Sequence, residues 1–293
     1  MAAPLPRPVR LRLEQTLAQW RHWDCEPPLC SAPAVVAVLG DGHSNFSVLV
    51  GSPPAFVVRI DGINPTANGL SRQGEWRSLQ SAHRAGLAPR PRYFNPDLGS
   101  LVCDYLPPDD HQPVDVTDVA ELLRGIHRLP PRHQRLDPAE RIVSYQNQLE
   151  HRAEAPVRAL ASYREPVLQA LAAAAAQAQP KVLCHHDLLR ANRIYSGGKL
   201  WAIDWEYCAM GSPWYDLAVV TAGDELDDDS SNTLLEAYLQ RPASEQEQRL
   251  VRSYCCTYRY LELLWYLALE RPQLNGPALH AKLARLARTL ERI

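Results

Sequence analysis

Apolar positions along the chain repeat with two different periods, and the change from one to the other divides it. Val9, Leu11, Leu13, Leu17 and Trp20 fall at mostly helical intervals after a proline-rich start, predicting a helix over residues 8 to 23. Short apolar runs follow at Ala34–Leu39, Phe46–Val50 and Phe56–Ile60. Gly40-Asp41-Gly42-His43-Ser44-Asn45 and Gly51-Ser52-Pro53-Pro54 separate them, which reads as strand, loop, strand, turn, strand. A helix is predicted from Arg72 to Ala85, ended by Gly86-Leu87-Ala88-Pro89, and two more strands, Arg92–Phe94 and Ser100–Leu106, flank an Asn95-Pro96-Asp97 turn. Pro107-Pro108-Asp109-Asp110 then breaks all regular structure, placing a boundary at about Asp104 to His111 between a first lobe, 1–104, and a second, 105–293.

Beyond that break the pattern turns helical. Val119, Leu122, Leu123 and Ile126 lie at i, i+3, i+4 and i+7, with Asp118 or Thr117 available as the cap. Residues 138 to 179 predict further helices, with Ala170–Ala178 the strongest helix former and Pro180 the stop. Val182-Leu183-Cys184 reads as a short buried strand, and a hairpin follows, Arg193-Ile194-Tyr195 and Leu200–Ile203 around Ser196-Gly197-Gly198-Lys199. Residues 245 to 270 predict one long helix carrying Tyr254, Tyr258, Tyr260, Trp265 and Tyr266, aromatics that suit core packing.

The first strand of this second lobe delivers His185-His186-Asp187 to a loop, and Asn192 follows five residues after Asp187. Asn192 and Asp204 lie twelve apart about Gly198, so the hairpin is expected to return both to one end, beside Asp187. Phosphoryl transfer needs such a set: a carboxylate to accept the proton of an attacking hydroxyl, and hard oxygen ligands to hold Mg²⁺ on nucleotide phosphates. Asp187 is the expected base, and Asn192 and Asp204 the expected metal ligands. Arg59 interrupts an apolar strand and calls for an acidic partner, for which Glu75 on the following helix is the candidate. The glycine and small polar residues of Gly40–Asn45 could bring backbone amides close to phosphates, although a plain turn reads equally well.

The order of these residues is that of the protein-kinase pattern, an HxD loop, an Asn five residues later and a second Asp after a hairpin. His186 stands where protein kinases have Arg, and Asp204-Trp205-Glu206 replaces Asp-Phe-Gly. With Ile203-Asp204-Trp205-Glu206-Tyr207, the chain resembles the aminoglycoside phosphotransferase and choline kinase superfamily, in particular its choline and thiamine kinase branch. That resemblance spans most of residues 34 to 270 and implies an α+β, two-lobed protein-kinase-like fold with its active site in the interlobe cleft. It further implies ATP and Mg²⁺, adenine held by main-chain groups of Asp104 to Leu106, phosphates covered by Gly42, Ser44 and Asn45, and Arg59 with Glu75 on the nucleotide. Asp216, in Gly211–Leu217, is implied to brace the catalytic loop, with His185 a buttress of its backbone.

Acceptor identity is not carried by the catalytic motif. Glu206, Tyr207, Trp214 and Trp265, with Trp205 and the acidic run after Asp224, are the expected substrate-side residues, and rings beside acids favour a cationic amino alcohol or thiamine over an aminoglycoside or sugar. The acidic run itself reads first as a solvated loop or helix start. Two other readings compete: a metal-dependent phosphohydrolase using His186 and Asp187, disfavoured because the pair stands between strands, and a pseudokinase binding module, disfavoured by the intact Asp187, Asn192 and Asp204.

Composition narrows the partners. The 293 residues carry a net charge of −2 and no lysine or arginine block, which argues against nucleic acid, and no apolar run is long enough for a membrane span. Seven cysteines without metal spacing, and no apolar signal at the start, lead to the expectation of a cytoplasmic protein.

Overall fold

The computed structural model describes residues 5–39, 45–62, 64–65, 69–110, 115–152, 154–177, 179–269 and 276–293. Gly42 and Ser44 of the expected phosphate loop, and His111 of the expected boundary, lie outside the described residues. The chain forms two compact units: Met1–Gln112 with Ile194–Tyr207, and Pro113–Arg193 with Cys208–Ile293. The hairpin segment Ile194–Tyr207 thus packs with the first unit, where the pattern predicted a single boundary near residue 104.

In the first unit, five antiparallel strands, β1 (Val35–Val38), β2 (Asn45–Val50), β3 (Phe56–Asp61), β4 (Pro91–Asn95) and β5 (Ser100–Asp104), form a sheet of order β1-β2-β3-β5-β4. Helix α1 (Arg7–Ala18) buries Val9 and Leu13 against Val48, Val50, Phe56, Val58, Ile60 and Val102 of that sheet. Helix α2 (Arg72–Arg84) starts at Ser71, whose hydroxyl accepts from the Gly74 amide. Strand β3 runs through the middle of the sheet, so Arg59 is buried there with 8% of its surface exposed. The later hairpin, β7 (Arg193–Ser196) and β8 (Lys199–Ala202), turns at Gly197 and Gly198, both at positive φ, a backbone region open to glycine. Their amides donate to the Asp109 carboxylate at 2.9 and 2.7 Å, and the Ala202 amide donates to the Leu87 carbonyl.

The second unit is mostly helical. Helix α3 (Val116–His127) is capped by Asp115, which accepts from the Thr117 amide; Thr117 and Asp118, expected as caps, lie inside the first turn, where an acid instead favours the helix dipole. Helices α4 (Pro138–Leu149), α5 (Ala155–Ala161) and α6 (Arg164–Ala175) precede strand β6 (Val182–Cys184). Strand β9 (Ala209–Gly211) pairs antiparallel with β6, a contact across the hairpin insertion that local pattern does not reveal. Helices α7 (Pro213–Gly223), α8 (Asp228–Leu239), α9 (Glu245–Ala268) and α10 (Gly276–Leu290) complete the unit, and α9 contacts α4, α5, α6, α7 and α10. Its start carries a full capping box, Ser244 with Glu247, and its Tyr254, Tyr258 and Tyr260 are buried in the core. Among the described residues no helix is long and apolar enough to cross a membrane.

Candidate active site

The loop that carries Asp187 belongs to the second unit and hangs on one buried carboxylate. Asp216, fully buried in the first turn of α7, accepts from the His185 and His186 amides at 2.7 Å each, and from His127 Nε2 at 3.1 Å. His186 is thereby held at φ +63, a left-handed conformation uncommon for a side chain of this size. Burial alone would raise the Asp216 carboxyl; the His127 hydrogen bond and the neighbouring imidazoles outweigh it and hold the group at about 2. The buttress is therefore Asp216 gripping main-chain amides, with His127 as its other support. His127, which the pattern marked only as a core or surface residue, also meets the Tyr238 hydroxyl through Nδ1 at 2.8 Å.

Asp187 follows on this pinned backbone. Asn192 Nδ2 donates to the Asp187 carbonyl at 2.8 Å and to its Oδ2 at 2.9 Å, so the five-residue spacing closes into a small ring of bonds. Because the Asn192 nitrogen is committed to Asp187, its Oδ1, the hard donor, is the atom left for a cation. The end of the loop is fixed by Asp224, which accepts from the Arg190 amide and pairs with the buried Arg193. The pattern places Asp224 in a solvated loop or helix start; it is instead an internal partner of the loop. A third acid of that run, Asp227, caps α8. His127, Cys184 and Asp216 lie close enough together to suggest a metal site, but Asp216 already accepts three hydrogen bonds, and burial pushes the Cys184 thiol well up, against the thiolate a metal would need.

The first unit gathers the other predicted residues. Arg59 forks onto Glu75, with Nη2 to Oε2 at 2.7 Å, and its Nη1 also reaches Asp204 Oδ1 at 2.9 Å. Arg72, at the start of α2, joins Glu75, Asp61 and Glu206 at 2.9, 2.7 and 3.0 Å, and Asn45 donates to Glu206 at 2.9 Å. Arg72 escaped the sequence reading because an arginine opening a helix looks like a surface residue. Four carboxylates, Asp61, Glu75, Asp204 and Glu206, face two guanidiniums, which leaves two negative charges over. Burial, and then Glu206, push the Asp204 carboxyl up to about 7 against the pull of Arg59. A dication fits this surplus, and Asp204, whose side chain keeps 30% exposure, is the member able to receive one. Arg59→Ala should weaken magnesium-nucleotide binding at least tenfold, with Arg59→Lys losing less, since truncation leaves Glu75 buried with one partner fewer; isothermal titration measures this.

The profile of the phosphotransferase enzyme family matches residues 35–252, three quarters of the chain. The chain belongs to that family. As a phosphotransferase-family member its two-lobed fold is shared with a choline/ethanolamine kinase family protein from Mesorhizobium loti, with a TM-score of 0.74 at 22% identity over 96% of this chain and 95% of that one. Choline kinase LicA from Streptococcus pneumoniae gives 0.73 at 23%, over 89% and 95%. Identities this low speak to fold alone. Protein LicA of Haemophilus influenzae is 28% identical over 87 residues, which is 29% of this chain and 33% of that protein, so the match spans only a third of the relative.

Within this family member the remaining expected residues separate. The Asp104 amide donates to the Arg90 carbonyl, and its carboxylate forks onto Arg92 at 2.6 and 2.9 Å; the Leu106 amide donates to none of the described residues. Glu206 and Trp205 are 2% and 1% exposed, Glu206 bonded to Arg72 and Asn45 and Trp205 donating to the Ala202 carbonyl, so both side chains turn inwards. Tyr207, in the first unit, and Trp214 and Trp265, in the second, are half-buried.

Proposed function

We propose that the protein transfers the γ-phosphate of ATP to the hydroxyl of a small cationic alcohol of the choline, ethanolamine or thiamine type. The observation that carries the phosphoryl-transfer reading is the loop in which Asp216 pins two amides and Asn192 ties Asp187. Asp187 orients the acceptor hydroxyl and takes its proton at a carboxylate oxygen as the oxygen attacks. Asn192 Oδ1 and Asp204 would hold Mg²⁺, which when bound neutralises charge on the phosphates. Arg59, kept straight by Glu75, would reach a phosphate oxygen, with Gly42, Ser44 and Asn45 on the phosphate side. Asp104 and Leu106 would present main-chain groups to the base; the nucleotide assignment is in keeping with a LicA known in complex with AMP.

The cationic acceptor rests on helix α9. Tyr258, Glu262 and Tyr266 recur at i, i+4 and i+8, and Trp265 packs edge-on to Tyr266 with ring centroids 5.1 Å apart, so one stripe carries rings beside an acid. Tyr207 and Trp214 are further rings available to the acceptor. A coupled ADP-release screen over choline, ethanolamine, thiamine, amino sugars and aminoglycosides, in magnesium, should give its highest kcat/KM on one of the first three. Strong turnover confined to a neutral sugar would overturn the cationic acceptor and leave phosphoryl transfer standing.

A further inference from the structure

The same stripe of α9 is already in contact with a cation. Lys282, on α10, donates to Glu262 Oε1 at 2.7 Å, and its ammonium lies 5.4 Å from the centroid of the Tyr266 ring. Both members of the ion pair are largely covered, with side chains 25% and 22% exposed. The stripe runs on to the catalytic loop: Tyr258, one turn before Glu262, shares with Leu189 the space over Gly223, and Leu189 is two residues past Asp187. Burial, then the charges of Glu262 and Asp187, push the Tyr258 hydroxyl well up. One end of this face therefore meets the loop that carries the base, and the other holds a carboxylate and a ring with an ammonium laid on them.

We infer that Lys282 sets the acceptor's affinity, as an internal competitor whose ammonium an acceptor cation must displace from Glu262 and Tyr266. This rests on the cationic-acceptor reading above. Displacement is an exchange, so the acceptor gains only the difference between its own contacts and those of Lys282. A primary ammonium is compact and strongly hydrated, as Lys282 itself is, and gains little by replacing it. A quaternary ammonium is weakly hydrated, sits on a ring face at less cost, and wins the exchange. The Lys282 contacts given up are the same whichever cation enters, so Lys282 lowers the affinity of every cationic acceptor by one factor and admits only those whose own contacts exceed it.

The test is acceptor kinetics of Lys282→Met in the full chain at saturating magnesium-ATP. KM for ethanolamine and for choline should both fall roughly tenfold, the size expected on freeing one ring face and one largely covered carboxylate, with KM for ATP unchanged. Lys282→Arg, which keeps a cation in place, should retain acceptor KM values near wild type. Unchanged or raised acceptor KM values in Lys282→Met, and equally in Lys282→Gln should the methionine variant fold poorly, overturn the inference while choline turnover keeps the function reading. If no cationic alcohol is phosphorylated at all, that reading fails on its own, and calorimetry with tetramethylammonium decides the inference. Tighter binding by Lys282→Met than by wild type supports it; equal binding, or none by either, overturns it.

Discussion

Asp187→Ala is expected to cut kcat by about 10² to 10⁴-fold, the range for loss of a positioned general base, while nucleotide affinity stays within a few-fold. The separation follows from the bonds. The Asp187 carboxylate accepts from the Asn192 amide, whereas Asp216 holds the loop backbone through the His185 and His186 amides. Truncation at Asp187 therefore removes the proposed proton acceptor and leaves the backbone grip and the Arg59–Glu75 pair intact. Single-turnover kinetics with calorimetric nucleotide binding on the same preparation checks both halves. Wild-type kcat in the variant would remove Asp187 from the role of base.

Asp216→Ala should be the most damaging change away from the reacting groups. It strands two buried main-chain amides, at about 1–3 kcal/mol each, so a loss of roughly 3–5 kcal/mol is expected on chemical denaturation. Without it the strained φ of His186 has no support, and a loop that relaxes by ~1 Å loses about 10²-fold in kcat. A pH signature identifies the cause. The folded carboxyl, held at about 2, lies below its unfolded value near 4, so its contribution is full above about pH 4 and is lost as pH falls towards 2. Wild type should lose about 2 kcal/mol of stability across that window through this group, a slope that Asp216→Ala should lack. A parallel acid dependence in wild type and variant would assign the stabilisation elsewhere.

What the sequence made legible was local. The spacing of Asp187 to Asn192 and the hairpin about Gly198 are short-range patterns, and the structure contains the Asn192–Asp187 bonds and the glycine turn that they require. Arg59 was legible because a charge within an apolar strand demands a partner, and Glu75 is that partner. The less legible features join residues far apart in the chain. Arg72 to Glu206 spans 134 positions and Arg193 to Asp224 spans 31, and no periodicity marks either pair. The burial of Trp205 and Glu206 was not legible, because a motif shows which residues adjoin Asp204 in sequence but not which way they face; both turn inwards. The cap of α3 went to Asp115 over the two alternatives because capping depends on which residue stays extended, here φ −77 and ψ 127.

Phosphorus NMR of a reaction containing the protein, magnesium-ATP and the best acceptor of the screen tests the central claim most directly. The account predicts that the γ-phosphate resonance of ATP is replaced by that of a phosphate monoester of the acceptor, in step with ADP, and that Asp187→Ala abolishes this change. ATP consumed to inorganic phosphate with no monoester, or ATP left intact with every acceptor, would contradict it.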